Sequence, residues 1–344
     1  MTYIIGEIGQ NHNGSVELAK VTIDLASREI KDEVFGNVLK GMNAVKLTKR
    51  DLKQELSQSQ MNRIYDSPHS FGKTYGEHRA KLELSGEEHY EVYKYAKSKE
   101  LDFVETLCAI GCLSILKYFQ PDKLKVASRD LTNLPLLEAL AETKIPIIVS
   151  TGMAGKKELD DAINVITKQH SNLSILHCVS QYPTEPKNVN LNTIKYLINN
   201  YGAYEIGYSD HTIGIATPVA AVAMGAKIIE KHITLDRRMK GTDQAGSLGP
   251  DGVYRMVRDI RLLDKSIGVE DIFIVPETTK AKEKLERSIA SNKLIKAGQI
   301  INKDDIHLLS PGNGFKWIER NKVLGKVALN DIFSNEIIYK ENIK

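Results

Sequence analysis

Short apolar runs alternate with amphipathic stretches along most of this chain, and the alternation keeps one rhythm. Residues 3–8 form an apolar run. Behind the capping residue Ser15, Val16, Ala19, Ile23 and Ala26 recur at helical spacing. NAVKLT (43–48) predicts the next strand, and a helix over 85–99 opens on a capping box, Ser85 with Glu88. DFVETL (102–107), KLKVAS (123–128), PIIVST (146–151) and LSILHC (173–178) read as further strands. Helical stretches fall at 112–118, 133–143, 156–168 and 192–200. The stretch YEIGYSDHTIGIATPVAAVAMGAKIIEKHIT (204–234) then gives a complete parallel unit: strand 204–208, an Ala- and Val-rich helix 215–224, strand 227–233. A helix over 251–267 closes the series.

Eight β/α units of this length predict an α/β fold of the TIM-barrel type, (β/α)8, over residues 1–268. A doubly wound open sheet is the alternative, disfavoured because the first strand is not followed by a GxGxxG turn. Residues 49–84 are too long for a plain connection. They contain DSPHSFGKTYGEHR (66–79), the composition of a lid or substrate arm at a barrel's working end. Residues 269–287 read as a charged, proline-marked linker. Residues 288–344, short apolar runs broken by Gly298, Pro311, Gly312, Gly314 and Gly325, read as a small β-rich domain.

Composition narrows the partners. A hydrophobic content of 42% with 10 prolines suits an ordinary globular chain, and a net charge of +3 favours neither nucleic acid nor a membrane surface. The cysteines Cys108, Cys112 and Cys178 make neither a disulfide framework nor a zinc-ribbon spacing, so a reducing cytoplasm is expected. A first strand starting at Tyr3 leaves no room for a signal peptide, and no apolar run has the length of a membrane span.

In parallel β/α folds the carboxyl ends of the strands carry the chemistry. There the sequence offers Glu7, followed by Asn11 and His12; Lys46; Thr106; Lys125 and Ser128; Ser150 and Thr151; Cys178, followed by Ser180 and Tyr182; Ser209, Asp210 and His211; and Glu230 and His232. His211 and His232, at matched ends of neighbouring strands, suit one divalent metal, with Asp210, Glu230 and Asp243 available to orient their rings. Lysines, serines and a threonine converging on one mouth describe a phosphate site. Lys46 and Lys125 lie inside strands otherwise read as buried, and Glu7 is a carboxylate in an apolar run, which is expensive without a role. Cys178 reads as core rather than nucleophile.

EIGQNHNGS (7–15), AVK (44–46), KVAS with NLPLL (125–128, 133–137), IVSTGM (148–153), LHCVSQYP (176–183), IGYSDHT (206–212) and EKHIT (230–234) together resemble the sialic acid (nonulosonic acid) synthase family. RSIASNKLIKAGQIINKDDIHLLSPGNG (287–314) resembles that family's C-terminal antifreeze-like SAF domain, of the β-clip type. The resemblance implies condensation of phosphoenolpyruvate with an N-acetylmannosamine-type aldose in the cytoplasm. It implies a domain-swapped homodimer whose SAF domain reaches the partner's site. It also implies His211 and His232 as ligands of a divalent metal, usually Mn²⁺, with Mg²⁺ or Co²⁺ as alternatives. Lys46, Thr106, Lys125, Ser128, Ser150 and Ser209 would hold phosphoenolpyruvate. Tyr182 would lie beside it, with Ser180 where the family usually has Asn, and Glu7 and Asp243 would face the aldose. Glu7, Lys46, Lys125 and Tyr182 are the expected catalytic set.

The chain departs from the family in places. Ser310 precedes Pro311-Gly312 where the family has an Arg that reaches the partner's N-acyl group; Lys316 and Arg320 are nearby substitutes. SRDL (128–131) stands for SGE-type residues, Leu47-Thr48 follows the strand-two lysine, and 28–41 lengthens a connection. The aldose is left open between N-acetylmannosamine, a 2,4-diacetamido hexose of the legionaminic or pseudaminic type, and another six-carbon sugar. A Schiff-base aldolase using Lys46 or Lys125 is the rival enzyme class. A carbohydrate- or ice-binding tail on a scaffold barrel is the non-catalytic rival.

Overall fold

The structure, a computed structural model, describes residues 1–31 and 36–344. It divides into two units, residues 1–268 and 269–344. The first is a closed barrel of parallel strands: β1 (Tyr3–Gly9), β2 (Ala44–Lys49), β3 (Asp102–Leu107), β4 (Lys123–Val126), β5 (Ile147–Ser150), β6 (Leu173–Cys178), β7 (Glu205–Asp210) and β8 (Ile228–His232). Strand β8 pairs with β1, from Tyr3 opposite Ile228 to Glu7 opposite His232, and closes the ring. Helices α1 (Val16–Ser27), α2 (Gly86–Ser98), α3 (Leu134–Glu142), α4 (Lys156–Thr167), α5 (Asn192–Tyr201), α6 (Ala216–Ala223) and α7 (Pro250–Ser266) supply the outer layer. The connection from β3 to β4 is a 3₁₀ helix, Ile110–Lys117.

The expected periodicities fold as written. Ser15 Oγ caps α1 by accepting from Leu18 N, and Val16, Ala19, Ile23 and Ala26 are its buried face. Both halves of the Ser85–Glu88 capping box form on α2. No helix among the described residues is long and apolar enough to cross a membrane.

Two apolar layers organise the barrel. The outer layer lies between strands and helices and includes Ile4, Ile8, Val45, Leu47, Phe103 and Val149. The inner layer is Ile5, Ala44, Val104, Ile148, Leu176 and Ile228. Side chains alternate across a strand, so two positions further on the same face recurs. Two positions beyond the inner six lie Glu7, Lys46, Thr106, Ser150, Cys178 and Glu230. The hydrophobic plug therefore aims these polar side chains into the barrel mouth. Gly207 does the same for Ser209: a Cβ there would meet Ile228 O and Leu176 Cδ2 at 2.5 Å, so only glycine fits that layer.

Residues 49–84 form three short helices, Leu52–Glu55, Gln58–Asn62 and Tyr75–Lys81. In the 28–41 segment, Ile30–Lys31 pair antiparallel with Val38–Leu39, and residues 32–35 lie outside the described residues.

The second unit has its own core of Ile289, Ile295, Ile301, Ile306, Val323, Ala328, Ile332 and Ile338. Its hairpin pairs β9 (Ser288–Ser291) with β10 (Ile306–Leu309). The stretch read as linker holds a helix, Thr279–Leu285, whose Lys-rich sequence lacks the apolar face by which helices are recognised.

Candidate active site

One cavity of about 500 Å³ opens at the carboxyl ends of the strands. All twelve expected site residues line it: Glu7, Lys46, Thr106, Lys125, Ser128, Ser150, Ser180, Tyr182, Ser209, His211, His232 and Asp243. So do residues that strand-end reasoning missed, among them Gln10, Arg50, Tyr65, Arg79, Arg129 and Thr242. Asn11 and His12 are spent elsewhere. Asn11 Nδ2 donates to Ile233 O and Ser247 Oγ, both at 2.9 Å, and His12 Nδ1 accepts from Gly14 N at 3.0 Å. Both tie the β1–α1 turn in place.

Glu7 owes its position to an irregularity. The register of β1 against β2 runs Glu7–Lys46 and then Gly9–Leu47, so an extra residue is accommodated at Ile8. Gly9 takes φ +54°, the left-handed region that favours glycine. Glu7 Oε2 then meets Lys46 Nζ at 2.7 Å, with both side chains buried.

The centre of the mouth is a buried charge cluster. Lys46 Nζ donates to Thr106 Oγ1 at 3.0 Å and lies 3.8 Å from Glu230. Lys125 Nζ donates to Val126 O at 3.0 Å and lies 3.9 Å from Glu230. Ser209 Oγ donates to Glu230 Oε1 at 3.0 Å. Burial opposes ionisation of all four charged groups, and the neighbours decide the outcome. Burial raises the Glu7 carboxyl despite Lys46. Burial works against the Lys46 ammonium, but Glu230 and Glu7 outweigh it and the group stays raised. Lys125 is lowered, because burial exceeds the help from Glu230. Glu230 resists burial through Lys125 and Lys46 and is held down to about 2. Ser150 Oγ is buried with no hydrogen-bond partner. An ammonium pair beside an unspent hydroxyl is the donor set an anion needs.

His211 and His232 lie side by side, ring centroids 5.6 Å apart, with the Tyr182 ring 4.1 Å from His211. His211 Nδ1 faces Val179 O at 3.1 Å, so the proton belongs on Nδ1 and Nε2 keeps its lone pair. Burial, reinforced by His232, pushes His211 down to about 4, leaving a neutral imidazole at neutral pH. His232 Nδ1 is buried and unpartnered. Two imidazoles with free lone pairs fit a divalent metal. Among the described residues no third His, Cys, Asp or Glu closes on the same point.

Two of the three acidic residues expected to orient these rings, Asp210 and Glu230, do other work, and the third, Asp243, lines the cavity. Asp210 points to the outside of the barrel, where it pairs with Lys231 and accepts from Tyr208 OH at 2.8 Å. Glu230 belongs to the lysine cluster. A backbone carbonyl orients His211 instead. Alternation explains the correction: Ser209 and His211 share one face of β7, and Asp210 takes the other. Cys178 is buried at the cavity wall, its Sγ 3.7 Å from His211 Nδ1, and burial raises its thiol. In the second unit, Lys316 Nζ is already paired with Glu286 at 2.7 Å, Arg320 Nη1 donates to Trp317 O at 3.3 Å, and Ser310 Oγ donates to Leu285 O at 2.9 Å.

A TIM barrel with buried lysines, carboxylates and a histidine pair at its strand ends, joined to a small β domain, defines a class. The chain belongs to the sialic acid synthase family: residues 37–271 match the NeuB family and residues 286–344 match the SAF domain. Its relatives include the human N-acetylneuraminate-9-phosphate synthase, 32% identical over 98% of this chain and 92% of that one. They also include the N,N'-diacetyllegionaminic acid synthase of Campylobacter jejuni, 32% identical over 98% of both chains. Among solved structures, the N-acetylneuraminic acid (sialic acid) synthetase of Leptospira borgpetersenii in complex with citrate superposes with a TM-score of 0.66. It is 31% identical over 81% of this chain and 90% of that one.

Proposed function

We propose that this protein condenses phosphoenolpyruvate with an N-acetylmannosamine-type aldose to make a nonulosonic acid, releasing phosphate by C–O cleavage. The observation that carries the reading is the meeting, in one cavity, of the buried Lys46–Lys125 pair with its hydroxyls and the His211–His232 pair. Lys46 and Lys125 neutralise the phosphate and carboxylate of phosphoenolpyruvate, and Thr106, Ser128, Ser150 and Ser209 donate hydrogen bonds to it. A divalent metal held by His211 and His232, Mn²⁺ in preference to Mg²⁺ or Co²⁺, would supply Lewis acidity at the aldehyde carbonyl.

The C3 methylene attacks the aldehyde carbon. A C–C bond forms, and the carbonyl pair of electrons becomes an alkoxide that takes a proton. Water adds at C2 and loses one proton to give a tetrahedral C2 hydroxyl, and phosphate departs with the C2–O electron pair as that hydroxyl gives up its own proton to leave the keto acid. Glu7, raised by burial and touching Lys46, is the acid/base for the sugar oxygen or the water. Tyr182 covers the histidine side of the cavity, and Asp243, with Ser180 beside Tyr182, completes the wall that would face the sugar. The family's substrates leave a 2,4-diacetamido hexose as the alternative aldose, because relatives with different products are equally similar. A domain-swapped cytoplasmic homodimer belongs to the same proposal.

Lys125 keeps one other reading alive: a lysine lowered by burial suits Schiff-base chemistry. Borohydride with pyruvate separates the two, since the synthase is not trapped. The direct test is phosphate release from phosphoenolpyruvate with Mn²⁺ and a panel of aldoses. Release that depends on one aldose and stops on chelation is expected. Folded, metal-loaded protein that releases none with any aldose would refute the proposal.

A further inference from the structure

The 49–84 excursion brings one aromatic ring to the cavity, and the proposed chemistry leaves that ring unused. Among the residues that line the cavity only Tyr65 and Tyr182 carry a tyrosine ring. The Tyr182 ring is committed to the histidine pair, 4.1 Å from His211. Tyr65 belongs to no charged set. Its backbone is fixed by an antiparallel pairing of Ile64 with Thr74, in which Tyr65 N donates to Lys73 O at 3.0 Å and Tyr75 N donates to Arg63 O at 2.8 Å. The ring is fixed as well. It meets the Tyr75 ring edge-on, with centroids 5.6 Å apart, and lies 4.7 Å from the buried His78 ring. Its neighbours spend their polar atoms on each other: Tyr75 OH accepts from Arg79 Nε at 2.9 Å, and His78 Nδ1 accepts from Phe71 N at 3.1 Å. Among the described residues the Tyr65 hydroxyl has no partner, and no further ring or cation stacks on Tyr65.

The cluster is tied to the barrel through Gln10. Arg79 Nη1 donates to Gln10 Oε1 at 2.6 Å, Gln10 Nε2 donates to Glu83 Oε1 at 2.8 Å, and Glu83 Oε2 accepts from Arg50 N at 3.1 Å. Gln10 is buried and follows Gly9, the turn that aims Glu7, so these bonds hold the excursion in register with Glu7. The charges that line this part of the cavity cancel. Arg50 and Arg129 are paired with Glu55 and Asp130, and Arg79 is matched by Asp243 in the same lining. Phosphoenolpyruvate, an anion, has its donors in Lys46, Lys125 and their hydroxyls. A rigid ring with a free hydroxyl, in a wall without net charge, suits a neutral polyol, which offers C–H bonds on one side and hydroxyls on the other. The ring is already ordered, so little conformational entropy is lost when a ligand packs on it.

Resting on the synthase reading, we infer that Tyr65 is the platform for the acceptor sugar. Its ring packs on the C–H surface of the aldose, and its hydroxyl bonds to the polar edge. Tyr65 sets affinity for the aldose, takes no part in bond making and does not touch phosphoenolpyruvate.

The test uses the full-length protein, N-acetylmannosamine as the probe, and the variants Tyr65→Leu and Tyr65→Phe. Leu stays apolar but removes the ring. In turnover with Mn²⁺, Tyr65→Leu is expected to raise KM for the sugar by about tenfold and to leave KM for phosphoenolpyruvate unchanged. Tyr65→Phe keeps the ring and is expected to stay within about tenfold of wild type, closer to it than Tyr65→Leu. Saturation-transfer difference NMR without phosphoenolpyruvate, with Mg²⁺ in place of paramagnetic Mn²⁺, reads the contact apart from turnover. Irradiation of aromatic protons is expected to reach the C–H protons of the sugar in wild type and in Tyr65→Phe, and to be largely lost in Tyr65→Leu. A Tyr65→Leu protein with wild-type KM for the sugar and undiminished transfer overturns the inference, while the condensation reading stands. A parallel rise in both KM values overturns it too, since that marks a structural role. So does a Tyr65→Phe protein as impaired as Tyr65→Leu, because the ring would then not be what binds. Transfer that depends on Tyr65, with no phosphate release from phosphoenolpyruvate, supports the platform and removes the condensation reading.

Discussion

Replacing Lys231 by Met tests how the histidine pair is held. Lys231 lies between Glu230 and His232 on β8, and Asp210 lies beside His211 on β7; they pair behind the site at 1% and 0% side-chain exposure. Lys231 Nζ also donates to Thr212 O at 2.5 Å, and Asp210 accepts from Thr212 N at 3.0 Å, so the pair pins the turn that carries His211. Breaking a buried pair from one side leaves an uncompensated charge, which costs about 3–5 kcal/mol. Asp210 keeps neutral donors from Tyr208 and Thr217, at 2.8 and 3.2 Å, which places the loss near the low end. At about 2–4 °C per kcal/mol for a domain of this size, Lys231→Met is expected to lower Tm by roughly 6–12 °C. The charge-neutral double variant Asp210→Asn/Lys231→Met is expected to recover at least about 1 kcal/mol of the summed single losses. Mn²⁺ affinity, read by electron paramagnetic resonance on folded protein, is expected to fall about tenfold, as when a group that orients a ligand is lost. A single variant within about 1 kcal/mol of wild type, or strictly additive singles, would refute the reasoning.

Gly152→Ala introduces a Cβ that would lie 2.7 Å from Ser128 Oγ, 3.0 Å from Cys178 Sγ and in contact with Ser180 Oγ. It is expected to cut kcat/KM by about tenfold or more while a thermal melt shifts by only a few degrees. Ser150→Ala removes a hydroxyl that has no partner in the fold; stability is expected to change by under about 1 kcal/mol while KM for phosphoenolpyruvate rises roughly tenfold. Glu230 is held at about 2 against an ordinary 4.5, a depressed carboxylate. Its contribution, about 3 kcal/mol, is complete above the unfolded value and is lost as pH falls from about 4.5 toward 2. Glu230→Gln is expected to flatten that acid limb of the stability profile measured by urea unfolding. An unchanged limb would show that other carboxylates control it.

Much of this site is legible in the sequence because a barrel converts strand periodicity into geometry. Ile5 before Glu7, Ala44 before Lys46, Val104 before Thr106 and Ile148 before Ser150 repeat one pattern, an inner apolar residue and then an inner polar one. The same rule assigns Asp210 and Lys231 to the outer face. Proximity in sequence suggested that Asp210 orients His211; strand alternation excludes it. Arg50, Tyr65 and Arg79 were not legible, because the 49–84 excursion has no period to read and only tertiary packing brings it over the mouth. The bulge at Ile8 that aims Glu7 is likewise a property of pairing with β2, marked in the sequence only by Gly9. The helix Thr279–Leu285 has no buried residue, so no hydrophobic spacing announces it.

The central claim is a condensation in which phosphoenolpyruvate loses phosphate by C–O rather than P–O cleavage. Phosphoenolpyruvate labelled with ¹⁸O at the bridging position tests it most directly, with the released phosphate and the keto acid both analysed by mass spectrometry. The account predicts that the label leaves with phosphate in an aldose-dependent reaction. Label retained in the keto acid, or phosphate released at the same rate without any aldose, would contradict it.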